Sequence, residues 1–409
     1  MAACISIKRN RENNQMIRKC FLCGHNTEKL FSTTWVLPGL KPTDIGFSLC
    51  ENCGSVCQSP TVSFENMMTF YSSMAVYNNP GRMEKPTEAK VTDLDEQIQF
   101  VKRGIGKLPA SALQIGSSDG YTLSRFRDAG VKRVLGVEPG TASIELAKRL
   151  YNIECIHAGA EEFKTSESFE LVLLTHVLEH LFEPQTILEK CRELQTKLAE
   201  GFIYVEVPLM AKPSSLCPGF FSFEHINYYT RENLVKSLRN SGYYPISIIE
   251  HFNSNLSPII GILASTREQH HFSEFRNEGA ENRKIVMDYR KKEVAYWQAC
   301  LDGIAASLKE EGNNYLWGAG IHTCQLVANT NLLEKYSIQG LTDSSSLKWA
   351  LRQGDWLCQN PQDIPWKSGD KVIISSYATE KEIYDALQWL RDKGVKTLRL
   401  HNVDDTKTH

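Results

Sequence analysis

Between residues 110 and 265 one pattern recurs: a short apolar run, a polar or glycine-bearing turn, then apolar residues at helical spacing. "SALQIGSSDGYTLSRFRDAG" reads as strand, turn and helix, and "VKRVLGVEPGTASIELAKRL" repeats it. "IECIHAGAEEF", "FELVLLTHVLEHL" and "EGFIYVEVP" supply further strands, and "YPISIIEHF" with "PIIGILAST" reads as a closing hairpin. Strands alternating with helices predict a doubly wound sheet. A shorter alternation follows. "NNYLWGAGIHTCQLVANT" is strand, Gly-Ala-Gly turn and helix, and Asp343 ends the next strand. "DKVIISSYATEKEIYDALQWL" and "VKTLRLHN" complete a small parallel α/β unit. Between the two, residues 273–311 carry charge pairs at helical spacing, which predicts one or two bridging helices. Ahead of both, residues 58–108 form a connector with closely spaced aromatics, Tyr71 and Tyr77 among them, and a helix over "VTDLDEQIQFVKRGIG". The expected fold class is α/β, with boundaries at 1–70, 71–270 and 271–409.

Composition narrows what these units do. A chain of 409 residues exceeds one ordinary core. With 42% apolar and 23% charged residues it reads as a soluble globular protein. A formal charge of −2, without a long basic block, offers no electrostatic footprint for nucleic acid or an anionic membrane. No apolar run approaches a membrane span, and "MAACISIKRNRENNQMIRKC" lacks the apolar core of a signal peptide. Most of the twelve cysteines stand singly among apolar residues, which fits a reducing cytoplasm. Four do not: Cys20–x–x–Cys23 and Cys50–x–x–Cys53 are pairs, each followed by glycine. Two such knuckles place four thiolates tetrahedrally around zinc, and a full set of four makes the metal structural. Metal-free thiols and a redox dithiol are the alternatives; His25 could replace one ligand, and Cys57 is a spare.

Two stretches carry candidate chemistry. Gly116 and Gly120 bracket Ser117, Ser118 and Asp119, where backbone can approach a ligand and the next helix offers free N–H groups. Glu138 ends the following strand, where a carboxylate accepts hydrogen bonds from ribose hydroxyls. Ser118 takes the place of the middle glycine of a dinucleotide fingerprint. That disfavours a pyrophosphate and favours the compact head of S-adenosylmethionine; Glu161 or Glu162 stands where an adenine contact would come from. A turn that binds nothing is the alternative. The second stretch, "FSFEHINYYT", sets Glu224 and His225 side by side among aromatics, ahead of a helix capped by Thr230 and ended before Gly242. The pair reads either as a proton-transfer pair or as a buried detail of a loop.

"LQIGSSDGY", "VLGVEPG", "THVLEHL" and "IYVEVP" resemble class I S-adenosylmethionine methyltransferases. With cysteine pairs in front and a second Rossmann-like unit behind, nearly the whole chain resembles the sugar C-methyltransferase family of deoxysugar biosynthesis. The resemblance implies a small N-terminal zinc-binding domain, a class I methyltransferase Rossmann-like domain and a C-terminal Rossmann-like domain. It implies His225 as the base that makes a carbon nucleophile and Glu224 as its orienter, with Tyr77, His180 and Tyr228 as hydrogen-bonding partners. His176 would face the cofactor, and the turn of Gly318 and Gly320 would receive the diphosphate of a nucleotide-linked sugar. Three departures stand out: Gln114 replaces a usual acid, Ser222 replaces a usual tyrosine, and the family's run between the cysteine pairs is missing. An O- or N-methyltransferase, or a non-enzymatic zinc-knuckle interaction protein, are the alternatives.

Overall fold

The computed structural model describes residues 9–10, 15–73, 86, 88–252, 258–268, 276–377 and 379–402. Its centre is a seven-stranded sheet. In chain order the strands are Ser111–Ile115, Arg133–Glu138, Cys155–His157, Leu171–Thr175, Phe202–Pro208, Tyr244–His251 and Ile259–Ser265. Across the sheet they lie sixth, seventh, fifth, fourth, first, second, third. The first five run parallel, and the seventh is inserted antiparallel between fifth and sixth. The last two form the hairpin that their patterning predicts, from Tyr244 opposite Ser265 to His251 opposite Ile259. Alternate residues serve opposite faces: Val172 and Leu174 enter one core, and Leu171 and Leu173 the other. Helices Tyr121–Asp128, Thr141–Tyr151, Pro184–Leu194 and Arg231–Asn240 accompany the strands. Strand order reverses between the first and fourth strands, so a crevice opens at their carboxyl ends.

The N-terminal unit is an antiparallel meander of Glu28–Trp35, Thr43–Leu49 and Val56–Gln58. A fourth strand, Asn227–Tyr228, comes from the central unit and pairs Asn227 with Cys57 and Tyr228 with Val56. Its side-chain alternation drives Tyr228 into an aromatic cluster with Phe47, Phe220 and Phe221, where only 2% of it is exposed. Patterning assigned this stretch to a loop, because a two-residue strand carries no periodicity of its own.

One 30-residue helix, Gly279–Leu308, realises the bridge. Near its start the Asn282 amide donates to the Gly54 carbonyl in the second cysteine knuckle. At mid-length Tyr289 and Glu293 accept from the N–H groups of Phe220 and Gly219. Trp297, Leu301, Ile304 and Leu308 then enter the core of the C-terminal unit. That unit is a six-stranded sheet whose five parallel strands have Asn314–Trp317 at the centre, beside Ile338–Thr342 on one side and Lys371–Ile374 on the other. Among the described residues, no helix is long and apolar enough to cross a membrane.

Candidate functional site

The first turn has the shape its glycines predict. Gly116 (φ 70°), Ser118 (φ 48°) and Gly120 (φ 74°) are all left-handed. A Cβ on Gly116 would sit 2.7 Å from Cγ2 of Val177, so the turn fits only without a side chain there. Glu138 holds the turn: its carboxylate accepts from the N–H of Ser118 at 2.8 Å and of Gly140 at 2.9 Å. Burial raises the Glu138 carboxyl above its ordinary value, against the pull of those two donors. A carboxylate has about four acceptor positions, so two remain for ribose hydroxyls. Asp119 accepts from the N–H of Tyr121, the first residue of the helix, at 3.1 Å. Ser117 is buried, with its N–H on the Val137 carbonyl and its hydroxyl near the Cys155 thiol. It is therefore a support of the turn and presents neither group to a ligand. Ser118, singled out only as a missing glycine, is the residue that links the turn to Glu138.

Beyond the fourth and fifth strands lies a cluster of imidazoles and carboxylates. His176 stands at φ 54°, with Nδ1 3.4 Å from Glu179 and Nε2 3.4 Å from Glu206. The ring is 46% exposed; its partial desolvation would lower its pKa, but the two carboxylates outweigh that and raise it to about 10. Glu206 also accepts from the Tyr204 hydroxyl at 2.5 Å. His180 donates from Nδ1 to the Glu224 carbonyl at 3.1 Å, which turns Nε2 toward Glu179 at 3.9 Å. The rings of His180 and His225 meet edge to face with centroids 5.0 Å apart. Burial, then the neighbouring His180, pushes His225 down to about 4. Glu179 and Glu206 are the members that motif reading passed over; "H-V-L-E-H" and "I-Y-V-E-V-P" contain them, but only the fold shows that they face the histidines.

The approach loop that carries His225 is held from outside the central sheet. The Gln58 amide donates to the carbonyls of Ser222, Phe223 and His225 at 2.8, 3.0 and 3.0 Å. The Thr230 hydroxyl accepts from the N–H of Asn233 and starts helix Arg231–Asn240, as its sequence position predicts. Tyr228 does not join the site: its hydroxyl donates to the Ser222 carbonyl inside the aromatic cluster, and strand pairing with Val56 keeps it there. Tyr77 lies outside the described residues.

The four paired cysteines converge. Sγ–Sγ separations are 3.5 Å for Cys20–Cys53 and Cys23–Cys50, and 3.4 Å for Cys23–Cys53. A tetrahedron of thiolates with Zn–S bonds of about 2.3 Å has edges of about 3.8 Å, so the cluster fits zinc after a slight expansion. Gly24 and Gly54 return their N–H groups to the carbonyls of Cys20 and Cys50, which closes each knuckle. His25 is exposed and bonds to the Cys23 carbonyl, and neither it nor Cys57 belongs to the cluster.

In the C-terminal unit the Gly318 N–H goes to the Thr342 carbonyl and the Ala319 N–H to the Asp343 carboxylate, itself paired with Lys348. A Cβ on Gly318 (φ 121°) would meet the Ser375 carbonyl oxygen at 2.7 Å, and Gly320 is extended. Gly318 therefore serves close strand packing, whereas a Cβ on Gly320 would meet only the Lys348 Nζ, at 3.8 Å. Beside the same strand ends opens a cavity of about 530 Å³, walled by Lys292, Tyr296, Trp297, His322 and His401 and, across it, by residues 214–218.

Residues 92–248 match a family model described as a methyltransferase domain. Together with the sheet order and the Glu138-latched turn, this sets the class: the protein is an S-adenosylmethionine-dependent methyltransferase. Among curated proteins, none matches the chain. Solved structures to which it is similar include the 1,6-didemethyltoxoflavin-N1-methyltransferase of Burkholderia thailandensis, at 14% identity and a TM-score of 0.40 over 57% of this chain and 100% of that one. The N-methyltransferase NodS of Bradyrhizobium japonicum WM9 is 13% identical, with a TM-score of 0.37 over 47% and 98%. An S-adenosylmethionine-dependent methyltransferase from Aquifex aeolicus gives 13% and 0.37 over the same shares.

Proposed function

We propose that the enzyme methylates a carbon of a nucleotide-linked keto-deoxysugar, through an enolate generated by His225. The observation that carries this reading is the placement of His225. Its ring meets that of His180 edge to face on a loop clamped by Gln58, next to Glu224 and beyond the carboxyl ends of the strands, and burial holds its pKa below the ordinary value. A sulfonium methyl is already a strong electrophile, so the protein must make and align the nucleophile. A neutral imidazole accepts the proton next to the ketone, and positioned donors stabilise the oxyanion. Glu224 orients the base or holds a sugar hydroxyl, His180 hydrogen-bonds on the substrate side, and Tyr77 is a further donor. His176 and Glu206 border the cofactor side. The nucleotide end of the substrate belongs in the 530 Å³ cavity, whose size suits such a ligand and whose walls offer aromatic rings and Lys292. The four cysteines hold a structural zinc, and the enzyme works in the cytoplasm.

The test is mass spectrometry of products from a panel of nucleotide-linked 4-keto sugars incubated with labelled S-adenosylmethionine. A methyl group on carbon, with substrate-proton exchange in the absence of cofactor, supports the reading. A methyl on oxygen or nitrogen, without such exchange, replaces it with a heteroatom methyltransferase.

A further inference from the structure

Glu179 is unusual for a carboxylate. It is 1% exposed, and among the described residues no donor meets its oxygens in good hydrogen-bond geometry, the 3.4 Å contact with His176 Nδ1 included. An ionised carboxylate so placed is costly without a cation near it. Among the described residues its titratable neighbours are imidazoles and a phenol: His176 and His180 from its own turn, and His225 and Tyr229 from the approach loop. Glu206 lies behind His176. Burial raises the Glu179 carboxyl, but contact with His176 and the neighbouring His180 outweigh it and hold the group below its ordinary value, so it is ionised. The backbone fixes its place, since the Glu179 carbonyl accepts from the N–H of Ile226, one residue past His225.

We propose that Glu179 is a positioning residue for proton transfer, the buried counter-charge that stabilises His225 in its protonated form. The inference rests on the reading of His225 as the base. In that step the substrate C–H bond breaks, its proton forms an N–H bond on His225, and its electron pair becomes the enolate. The enolate carbon then takes the methyl group, the S–CH₃ bond breaks, and its electrons neutralise the sulfonium as S-adenosylhomocysteine leaves. His225 afterwards returns the proton to water. The imidazolium exists only between the first and last steps, and a fixed negative charge beside it strengthens a base that burial has weakened. Ligand atoms of Glu179, His180 and His225 all lie within 4.8 Å of one another. That spacing brings the new cation close to the carboxylate. His180 Nε2 stands 3.9 Å from Glu179, looser than the separation of about 3–3.5 Å that bonds of about 2.1 Å to one metal ion would draw.

The experiment compares Glu179→Gln, Glu179→Asp and His225→Asn with the wild-type full chain, on the sugar nucleotide that the product panel selects. For Glu179→Gln, kcat should fall on the order of 100-fold, while KM and S-adenosylmethionine affinity stay within about 2-fold. The acid limb of its pH profile should move down by about one unit, because His225 loses the charge that favours its protonated form. Glu179→Asp should recover part of kcat. Normal turnover in Glu179→Gln, with His225→Asn inactive, would overturn this inference alone; an active His225→Asn would remove the base reading and this inference with it. A loss with an unmoved acid limb and weakened cofactor binding would make Glu179 a structural residue. A second metal equivalent per chain, lost in Glu179→Gln together with activity, would make it a metal ligand instead.

Discussion

Glu138 meets two backbone N–H groups before any cofactor arrives, so it both shapes the turn and offers its remaining lone pairs to the ribose. Glu138→Ala should weaken S-adenosylmethionine binding by roughly 1.5–3 kcal/mol, the scale of charge-assisted hydrogen bonds, and calorimetry on the folded variant measures it. His176 gives a prediction in pH. Its folded pKa, about 10, lies above the ordinary 6.5. A raised histidine stabilises the fold fully below the unfolded value, and that contribution is lost as pH rises through the folded one. Between about pH 6.5 and 10 the melting temperature of the wild type should therefore fall more than that of His176→Asn. Asparagine tolerates the left-handed backbone at this position, so the variant removes the titrating ring without straining the turn. Parallel slopes for the two proteins would deny His176 its pairing.

At the scale of elements, the approach loop is governed from another unit. Asn227–Tyr228 completes the N-terminal sheet, and Gln58 of that sheet ties down three carbonyls around His225. Gln58→Leu should leave the Phe223 and His225 carbonyls without this donor, Ser222 keeping the Tyr228 hydroxyl, and cost about 1–3 kcal/mol in chemical denaturation. Turnover should fall roughly 10-fold or more with cofactor affinity unchanged, because the loop shifts while the Glu138 turn does not. Turnover equal to wild type would mean that the loop keeps its geometry without the clamp.

For the whole molecule, the cysteine cluster, the approach loop and the C-terminal core are joined by one helix. Asn282 reaches the second knuckle, Tyr289 and Glu293 reach the loop, and Trp297 lies in the distal core. Metal analysis should find one zinc per chain, lost when the four cysteines are changed to alanine. Its removal by a strong chelator should abolish turnover even though the cluster is separate from the imidazole site, since the knuckle and the loop share a sheet. Full activity in a zinc-free chain would uncouple the two.

Local pattern reached far into this protein. The alternation of short apolar runs with helical spacing is a property of neighbours along the chain, and it was enough for the parallel sheet, the closing hairpin, the Thr230 cap and the left-handed glycine turn. The convergence of the four thiols follows from knuckle spacing in the same way. Tertiary structure decided what depends on residues distant in sequence. The tyrosine of "NYY" looked available until its strand paired with Val56 and buried it. The Ala319 N–H of the Gly-Ala-Gly turn goes to Asp343, which ends a different strand and which no spacing in the sequence couples to the turn. Glu179 and Glu206 belong to different strand ends, and no spacing in the sequence says that they share His176. A carboxylate acquires its role from the charges that folding brings within a few ångströms of it, and those come from segments whose separation along the chain carries no signal.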